Sequence, residues 1–317
     1  MIKRVTLLIA VFSVVAAACG ESGAPDTTAP GADDTTTAPT TAPTTTPDTT
    51  AATTPDTTAT TAAVGDECAV ENLELVSPGE LTVATGEPAF PPWVIDDDPT
   101  NQQGFESAVV YAVAEEMGFS ADQVTWTRVG FDEAIAPGPK DFDLNIQQYS
   151  ITDERDEVVD FTVPYYVTQQ ALVAFADSEI ADATSIEDLR SYALGAQIGT
   201  TSLDYIEEVI QPETQAAVYD TNADAKSALD AGQIDAIVFD LPTAYFITAV
   251  EMTDTSIVGA LPASEDQADR FGMMLEEGNP LKACVDQALE ALRSDGTLDA
   301  LAEEWLAQES DIPILSE

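Results

Sequence analysis

Histidine is absent from this chain of 317 residues, and the other basic residues are rare. The absence of histidine excludes a Ser-His-Asp or Cys-His catalytic unit and any histidine-ligated metal site. The 10 Lys and Arg stand against 58 Asp and Glu, which gives a formal net charge of -48. That charge argues against nucleic acid as a partner, because binding phosphates requires a basic patch. We predict no nucleic-acid partner on this ground, and we expect no metal and no cofactor.

Long apolar runs are also missing. The run Val5–Val15 is too short to span a bilayer as a stable helix. It follows Lys3 and Arg4 and precedes three alanines and Cys19, which predicts a signal peptide over residues 1–18. Small residues directly before a cysteine look like a bacterial lipobox, in which Cys19 would carry a lipid. The alternative is an ordinary cleavage site that adjoins a cysteine.

Large apolar residues are nearly absent between Gly20 and Asp66, where Thr, Ala, Pro and Asp dominate. A segment of this composition cannot bury a core. We predict a disordered tether over residues 19–66, which as a flexible coil spans roughly 40 Å. A lipid on Cys19 followed by this tether would anchor the protein to the outer face of the cell membrane. The predicted location is therefore extracytoplasmic.

Cysteine is scarce, with Cys68 and Cys284 as the only cysteines besides Cys19. If Cys19 carries a lipid, one possible pair remains. In an oxidising compartment that pair indicates a disulfide between the start of the folded region and a late helix. The alternative is that both thiols are buried and unpaired.

Strand and helix patterns alternate along the rest of the chain, whose length suits about two domains. The predicted strands are Leu81–Thr85, Val124–Arg128, Leu144–Gln147, Gln169–Ala174, Ala193–Ala196, Ala216–Tyr219 and Ala236–Phe239. The predicted helices are Phe105–Met117, Pro280–Ser294, Leu298–Ala307 and two that begin near Thr201 and Asn222. This alternation predicts an α/β fold with mostly parallel sheets.

Open α/β sheets bind ligands beyond the carboxyl ends of their strands. Three segments meet that rule, namely Gln147–Ser150, Ile198–Thr201 and Phe239–Asp240. Backbone N–H groups and hydroxyls at Gly199-Thr200-Thr201 suit an anion, although most such turns only cap helices. Asp240 suits an ammonium group, and the alternative is that it only caps the next helix.

The stretch Gln148–Tyr166 places an arginine beside hydroxyl groups at the end of a predicted strand. Arg155 stands out because basic residues are so few. An arginine next to Ser150 and Thr152 suits bidentate capture of a carboxylate. The alternative is a surface arginine paired with an acidic neighbour such as Asp153.

The same stretch contains SITDER and then VDFTVPYY, which resemble the signature of the extracellular solute-binding proteins of family 3, the amino-acid receptors of ABC importers. The chain also contains LTVATGEPAFPPW, which resembles the family's first strand and aromatic turn. Two later segments, IGTT and GQIDAIVFD, resemble its second-lobe sites. The end of the chain contains PLKACVDQALEALRSDGTLDALAEEWL, which resembles its C-terminal helical pair. The resemblance covers about Leu81–Ala307, in the family's order.

The resemblance implies an α/β, periplasmic-binding-protein-like type II fold, with two α/β lobes joined by a two-strand hinge. Lobe 1 would comprise residues 67–168 and 263–317, and lobe 2 would comprise residues 169–262. The implied partners are an amino acid and the permease of an ABC transporter, and we expect a monomer. Closure of the lobes on a ligand requires no chemistry, so we predict a binding protein and not an enzyme.

Roles for single residues also follow from the resemblance. Arg155, Ser150 and Thr201 would hold the α-carboxylate of the ligand. Asp240 would hold its α-ammonium group. The side chain of the ligand would lie among Glu87, Phe90, Phe131 and Gln148.

One position departs from the family pattern. After Gly104-Phe105-Glu106 the family usually has a second acidic residue two positions beyond Glu106, where this chain has Ala108. The neighbouring wall of the site therefore differs from that of the family, while the positions implied for the carboxylate and the amine are intact.

These residues predict a receptor for a small zwitterion, with a polar or basic amino acid favoured. A carboxylate at Glu87, aromatic walls and a negative overall field all favour a basic or amide side chain in the ligand. Against this, Glu87 would not touch the ligand if it caps the Pro88–Pro92 turn. The same fold could instead bind an opine, a compatible solute or another small solute, and a dehydratase-like enzyme is a further hypothesis.

Overall fold

The computed structural model of the chain describes residues 66–263, 268–306 and 312–317. The predicted signal peptide over 1–18, the predicted lipidation site Cys19 and the predicted tether through residue 65 lie outside these described residues. Among the residues that are described, no helix combines the length and the apolar character needed to cross a bilayer.

Strands and helices alternate along the described chain, as the sequence predicts. The strands are β1 Leu81–Thr85, β2 Val124–Arg128, β3 Leu144–Asn145, β4 Val159–Phe161, β5 Tyr166–Thr168, β6 Gln170–Phe175, β7 Leu194–Gln197, β8 Ala217–Tyr219, β9 Ala236–Asp240, β10 Thr255–Ala260, β11 Asp269–Phe271 and β12 Met274–Glu276. The α-helices are α1 Phe105–Glu116, α2 Phe131–Ile135, α3 Asp153–Asp156, α4 Ile186–Leu189, α5 Thr201–Asp204, α6 Asn222–Asp230, α7 Leu241–Phe246, α8 Leu281–Ser294 and α9 Thr297–Trp305. Short 3-10 turns are Asp66–Cys68, Val70–Asn72, Ile95–Asp97, Pro99–Asn101, Ala121–Gln123 and Glu179–Asp182. The helices α5 and α7 continue as π-helical turns, Tyr205–Ile210 and Ile247–Glu251.

The first lobe is built on a sheet with the strand order β2–β1–β3–β12–β4. Strand β1 pairs in parallel with β2 and β3, whereas β12 runs antiparallel to β3 and β4. Helix α1 buries Phe105, Val109 and Val113, which recur every four residues and therefore share one face. That face packs with Leu81 and Val83 of β1 in a core that also includes residues of α8.

The second lobe is built on a sheet with the strand order β10–β6–β9–β7–β8. Strand β7 pairs in parallel with β8 and β9, and β6 runs antiparallel to β9 and β10. Helices α4 and α5 cover one face of this sheet, and α6 and α7 cover the other. Both faces of β9 are therefore buried, which agrees with its continuous apolar run from Ala236 to Phe239.

The sheets are mixed, which corrects the prediction of mostly parallel sheets. The chain leaves the first lobe through β5 and returns through β11, and these two strands pair antiparallel. Each passage leads directly into a strand of the next sheet, without a crossover helix, so β6 and β12 run antiparallel to their neighbours. The two paired strands form the connection between the lobes.

Cys68 and Cys284 form a disulfide with a Cα–Cα distance of 5.5 Å, which confirms the predicted pairing. The bond joins the start of the described chain to α8, which lies 216 residues later. Both cysteines are buried in the core of the first lobe. The disulfide therefore fixes the entry of the chain to the helix that covers the first sheet.

The last residues of the chain lie on the second lobe, which corrects the assignment of all of 263–317 to lobe 1. Ile314 forms a bridge with Ala260 of β10, and Ser316 forms one with Ser185. Leu315 is only 3% exposed and packs in the core of the second lobe. The position of these residues in the sequence does not reveal this contact with the second lobe. The other predicted lobe boundaries stay predictions.

Candidate functional site

A cavity of about 330 Å³ lies between the lobes, at the carboxyl ends of the parallel strands. Segments that follow β1 and β3 line it from the first lobe, and segments that follow β7, β8 and β9 line it from the second. The eight ligand-binding residues predicted from the sequence all line this cavity: Glu87, Phe90, Phe131, Gln148, Ser150, Arg155, Thr201 and Asp240. The structure thus brings the predicted set together, while their roles in binding stay predictions.

Arg155 is a buried cation at the inner wall of the cavity. It sits in α3, where the hydroxyl of Thr152 caps the helix by accepting a hydrogen bond from the Arg155 amide. Arg155 is only 8% exposed. Its guanidinium donates hydrogen bonds to the carbonyl oxygens of Ser150 at 2.6 Å and Gly199 at 2.8 Å. The guanidinium carbon also lies 5.6 Å from the ring centroid of Phe131. The alternative of a surface arginine is therefore wrong.

Two hydroxyl groups lie beside this arginine. The Oγ of Ser150 is 3.3 Å from the Oγ1 of Thr201, and the two residues belong to different lobes. The Nε2 of Gln170 also donates to Thr201 Oγ1, at 3.3 Å. The guanidinium and the hydroxyls therefore form a cluster of hydrogen-bond donors suited to a carboxylate.

Burial lowers the pKa of Arg155 from its usual value. Arginine starts from so high a pKa that the guanidinium still carries its charge at neutral pH. Two of its five N–H donors contact backbone carbonyls, and the group has further donors to offer. This site is therefore cationic.

Asp240 ends β9 and caps α7. Its carboxylate accepts from the amide of Thr243 at 2.9 Å and from the hydroxyl of Thr243 at 2.7 Å. The indole N–H of Trp93, in the first lobe, donates in turn to Thr243 Oγ1 at 2.8 Å. Capping and lining the cavity are thus compatible, because one carboxylate does both. Desolvation raises the pKa of Asp240 to about 6, so the group becomes an anion towards neutral pH.

Aromatic and polar side chains complete the cavity wall. Phe131 stacks on Tyr149 with ring centroids 4.5 Å apart and an angle of 26° between the planes. Phe90 packs against the core of the first lobe and lines the same cavity. Glu87 is exposed and lines the cavity two residues after the end of β1. Two aromatic side chains and a carboxylate therefore line the same cavity.

Gln148 lines the cavity, but its polar groups are directed into the first lobe. Its backbone amide donates to Glu106 Oε1 at 2.7 Å, and its side-chain amide donates to Glu106 Oε2. Glu106 is fully buried and also accepts from the hydroxyl of Tyr165. Burial raises the pKa of Glu106 to about 7. The sequence interpretation noted Glu106 only as part of a motif and did not foresee this contact.

The sequence interpretation also missed several residues that line the cavity. Trp93 ends the aromatic turn, and its place in that motif was the available signal. Thr243 follows Asp240 by three residues, which is the spacing of a capping contact. Lys226 and Glu251 form an ion pair on the wall, and the rarity of lysine was the signal for Lys226. Nothing in the local sequence points to Glu251.

The lobes contact each other directly across the cavity. Arg155 reaches Gly199, Ser150 reaches Thr201, and Trp93 reaches Thr243. Each contact joins a first-lobe side chain to a second-lobe residue. The site therefore has two opposing walls, which suits a small molecule held between them.

Several proteins of known role are similar to this chain. The L-cystine-binding protein TcyJ of Escherichia coli (strain K12) is 28% identical over 221 residues, which are 69% of this chain and 80% of that protein. The ABC transporter arginine-binding protein 1 of the same organism is 28% identical over 210 residues, covering 65% and 82%. Glutamate-binding protein GluB of Corynebacterium glutamicum is 26% identical over 209 residues, covering 64% and 69%.

Solved structures are similar as well. An ancestral arginine-binding protein bound to arginine has a TM-score of 0.61 and 28% identity, and the match covers 72% of this chain and 98% of that one. An ancestral arginine-binding protein bound to glutamine has a TM-score of 0.62 and 29% identity, covering 73% and 100%. The predicted type II binding-protein fold is confirmed.

The family model of the bacterial extracellular solute-binding proteins, family 3, matches residues 81–308. The relatives named above are binding proteins of amino acids and not enzymes, in agreement with the prediction that this chain is not an enzyme. The match spans most of the chain, and it includes every residue that the resemblance placed at the ligand. This chain therefore belongs to the bacterial extracellular solute-binding proteins of family 3.

Proposed function

We propose that this protein captures a zwitterionic amino acid between its lobes and delivers it to the permease of an ABC importer. The observation that carries the proposal is a cation and an anion on opposite walls of one cavity, Arg155 on the first lobe and Asp240 on the second. A zwitterion that enters such a cleft loses its hydration, so each of its charges needs an opposite, hydrogen-bonded partner.

The α-carboxylate of the ligand would bind at Arg155, with the hydroxyls of Ser150 and Thr201 as further donors. Support comes from the 3.3 Å separation of these hydroxyls and from the burial of the arginine. The α-ammonium group would bind Asp240, whose carboxylate Thr243 holds in place. A ligand that touches both walls stabilises the closed arrangement, because an open one makes only half of these contacts.

The side chain of the ligand would lie between Phe90 and Phe131, towards Glu87. An aromatic face attracts a cation, and so does a carboxylate. We therefore propose a polar or basic amino acid as the ligand, with arginine, lysine, ornithine or glutamine favoured over glutamate. Gln148 would shape this wall and is held there by Glu106.

Binding is tested by isothermal titration calorimetry with arginine, glutamine, glutamate and leucine. Arg155→Ala and Asp240→Asn should each weaken binding by more than about a hundredfold, because a buried charge loses its partner at a cost of roughly 3–5 kcal/mol. Arg190→Ala is the matched control, since Arg190 pairs with Glu187 on the surface of the second lobe. Micromolar binding in the Arg155 or Asp240 variant would overturn the proposal.

We also propose that the protein is a lipoprotein, cleaved after residue 18 and held at the outer face of the membrane through Cys19. This proposal rests on the run of small residues before Cys19 and on the predicted tether over residues 19–66. Cys19→Ala should move the protein from the membrane fraction to the soluble one on cell fractionation. Retention of that variant in the membrane fraction would refute the lipid anchor and would leave the proposal about ligand binding unaffected.

A further inference from the structure

The cavity runs along one side of a helix and has an acidic residue at each end. Asp240, Thr243, Ile247 and Glu251 all line it. Their spacings of three, four and four residues place them on one face of α7 and its π-helical continuation. At 1.5 Å of rise per residue, the segment from Asp240 to Glu251 spans roughly 16 Å. The cavity is therefore elongated, and Asp240 occupies only one end of it.

An ion pair lies at the other end. The Nζ of Lys226, in α6, contacts the Oε2 of Glu251, and both residues line the cavity. Their side chains are 23% and 33% exposed, so solvent or a ligand can reach them. Helices α6 and α7 pack together on one face of the second sheet, whereas α5 with Thr201 packs on the other face. The ion pair and Thr201 therefore line the cavity from opposite faces of the second sheet.

This pair has the same charges as the pair proposed for the amino-acid head, one cation and one anion. A lysine ammonium has three donors, and the contact with Glu251 uses one of them. A carboxylate has about four acceptor positions, and the contact with Lys226 uses one of those. Both groups can therefore bind a ligand while they remain paired to each other.

The chemistry at this end limits what the ligand can be. An amino acid with only a cation at its tip would meet Glu251 but would also be repelled by Lys226. A tip that carries both an ammonium and a carboxylate would satisfy both residues. Ile247, between the two ends, is buried and offers an apolar contact to the middle of such a molecule.

We propose that Lys226 and Glu251 form a second charged subsite, and that the ligand is an elongated amino acid with a zwitterionic group at each end. Lys226 binds the distal carboxylate and Glu251 binds the distal ammonium group. The inference rests on the proposed function, in which Arg155 and Asp240 bind the proximal zwitterion. Among polar amino acids it favours a double zwitterion over the basic amino acids named there.

The test uses isothermal titration calorimetry on the full chain with two probes, L-cystine and S-methyl-L-cysteine. The probes share the proximal head and the sulfur, but only L-cystine has a second zwitterion. L-cystine should bind more tightly, and Lys226→Gln and Glu251→Gln should each weaken its binding about tenfold or more, as expected for hydrogen bonds to charged groups. Binding of S-methyl-L-cysteine should not change. Lys282→Gln is the matched control, because Lys282 forms an ion pair of similar exposure with Asp286 on α8, away from the cavity.

Equal affinity of the wild-type chain for the two probes would overturn the inference. The inference would also be overturned if variants at Lys226 and Glu251 kept the preference for L-cystine over S-methyl-L-cysteine. It would be overturned as well if the wild type bound L-arginine more tightly than L-cystine and Lys226→Gln bound L-arginine more tightly still. In each of these cases loss of binding by Arg155→Ala would keep the proposed function intact. Failure of every amino acid to bind would instead refute the proposed function itself.

Discussion

Glu106 is a carboxyl group with no exposure to solvent, and it holds one wall of the cavity to the first lobe. It accepts hydrogen bonds from the backbone and side chain of Gln148 and from Tyr165. Gln148 has a backbone φ of 52°, a conformation that is uncommon for a residue other than glycine. The contacts to Glu106 stabilise this turn directly beside the proposed carboxylate site, so the shape of that wall depends on one buried acid.

Replacing Glu106 by glutamine should change the dependence of stability on pH. The pKa of Glu106 is raised from 4.5 to about 7, so the folded protein binds the proton more tightly than the unfolded chain does. The stabilisation from that proton is complete below the unfolded pKa and is lost as pH rises through about 7. Through this group, the wild type should lose roughly 2–3 kcal/mol of free energy of unfolding from pH 5 to pH 8. Glu106→Gln lacks the titrating group and should not show that loss.

Urea denaturation of the ligand-free protein at both pH values measures this difference. Glu115→Gln serves as the control, since Glu115 lies exposed on the same helix and its variant should show the same loss as the wild type. The prediction would be contradicted if the free energy of unfolding changed by the same amount between pH 5 and pH 8 in Glu106→Gln and in the wild type.

At the scale of elements, the C-terminal residues act as an added edge on the second sheet. Leu315 donates its amide to Ala260 at 3.0 Å, and Ala260 donates to Pro313 at 2.9 Å. Gly259 permits this approach: a Cβ at that position would lie 2.8 Å from the side chain of Leu315 and 3.0 Å from the carbonyl of Pro313. Edge strand β10 is thereby covered by the end of its own chain.

Gly259→Ala should destabilise the protein by about 1–3 kcal/mol, because the added methyl group overpacks a closed contact. The free energy of unfolding in urea measures the effect. The penalty should shrink in a Leu315→Ala background, where the clashing side chain is gone, so a double-mutant cycle identifies the cause. In Gly130→Ala the added Cβ meets its nearest atom at 3.7 Å, so this control should cost little. An equal penalty for Gly259→Ala in both backgrounds would show that the strain lies elsewhere.

At the scale of the whole molecule, charge is the dominant feature. With 58 acidic and 10 basic residues, most carboxylates have no cationic partner available anywhere in the chain. Ion pairs engage Arg128, Arg190, Lys226 and Lys282. The remaining negative charges repel one another, and this repulsion disfavours the compact state.

We predict that the melting temperature rises between low salt and near-molar sodium chloride. The Debye length falls from about 30 Å at 0.01 M to about 3 Å at 1 M, so salt screens the repulsion between exposed carboxylates. Differential scanning calorimetry of the ligand-free protein over this range provides the measurement. A melting temperature that stays constant or falls would show that self-repulsion does not limit stability.

Local pattern was sufficient to predict much of the fold. The bounds of β1 and the start of β2 agree with the apolar segments of the sequence, and α6 begins at Asn222 as predicted, because caps and apolar spacing act within a few residues. The local patterns did not place β4, β5, β10, β11 and β12, since these strands depend on partners far away in the chain. The two-strand hinge that β5 and β11 form was implied only by the family resemblance. The mixed direction of the sheets follows from these same strands.

The sequence by itself indicated the family and one possible disulfide, and the family resemblance pointed to the eight residues that meet at the cavity. Motifs and strand ends are local patterns, so the sequence displays them directly. Only the tertiary structure decided what those side chains contact. Arg155 is buried by residues from other parts of the chain. The hydrogen bond between Gln148 and Glu106 and the ion pair between Lys226 and Glu251 also join segments that are separate in the sequence. Hydrogen bonds and charges act over a few ångströms in space, and separation along the sequence does not encode that distance.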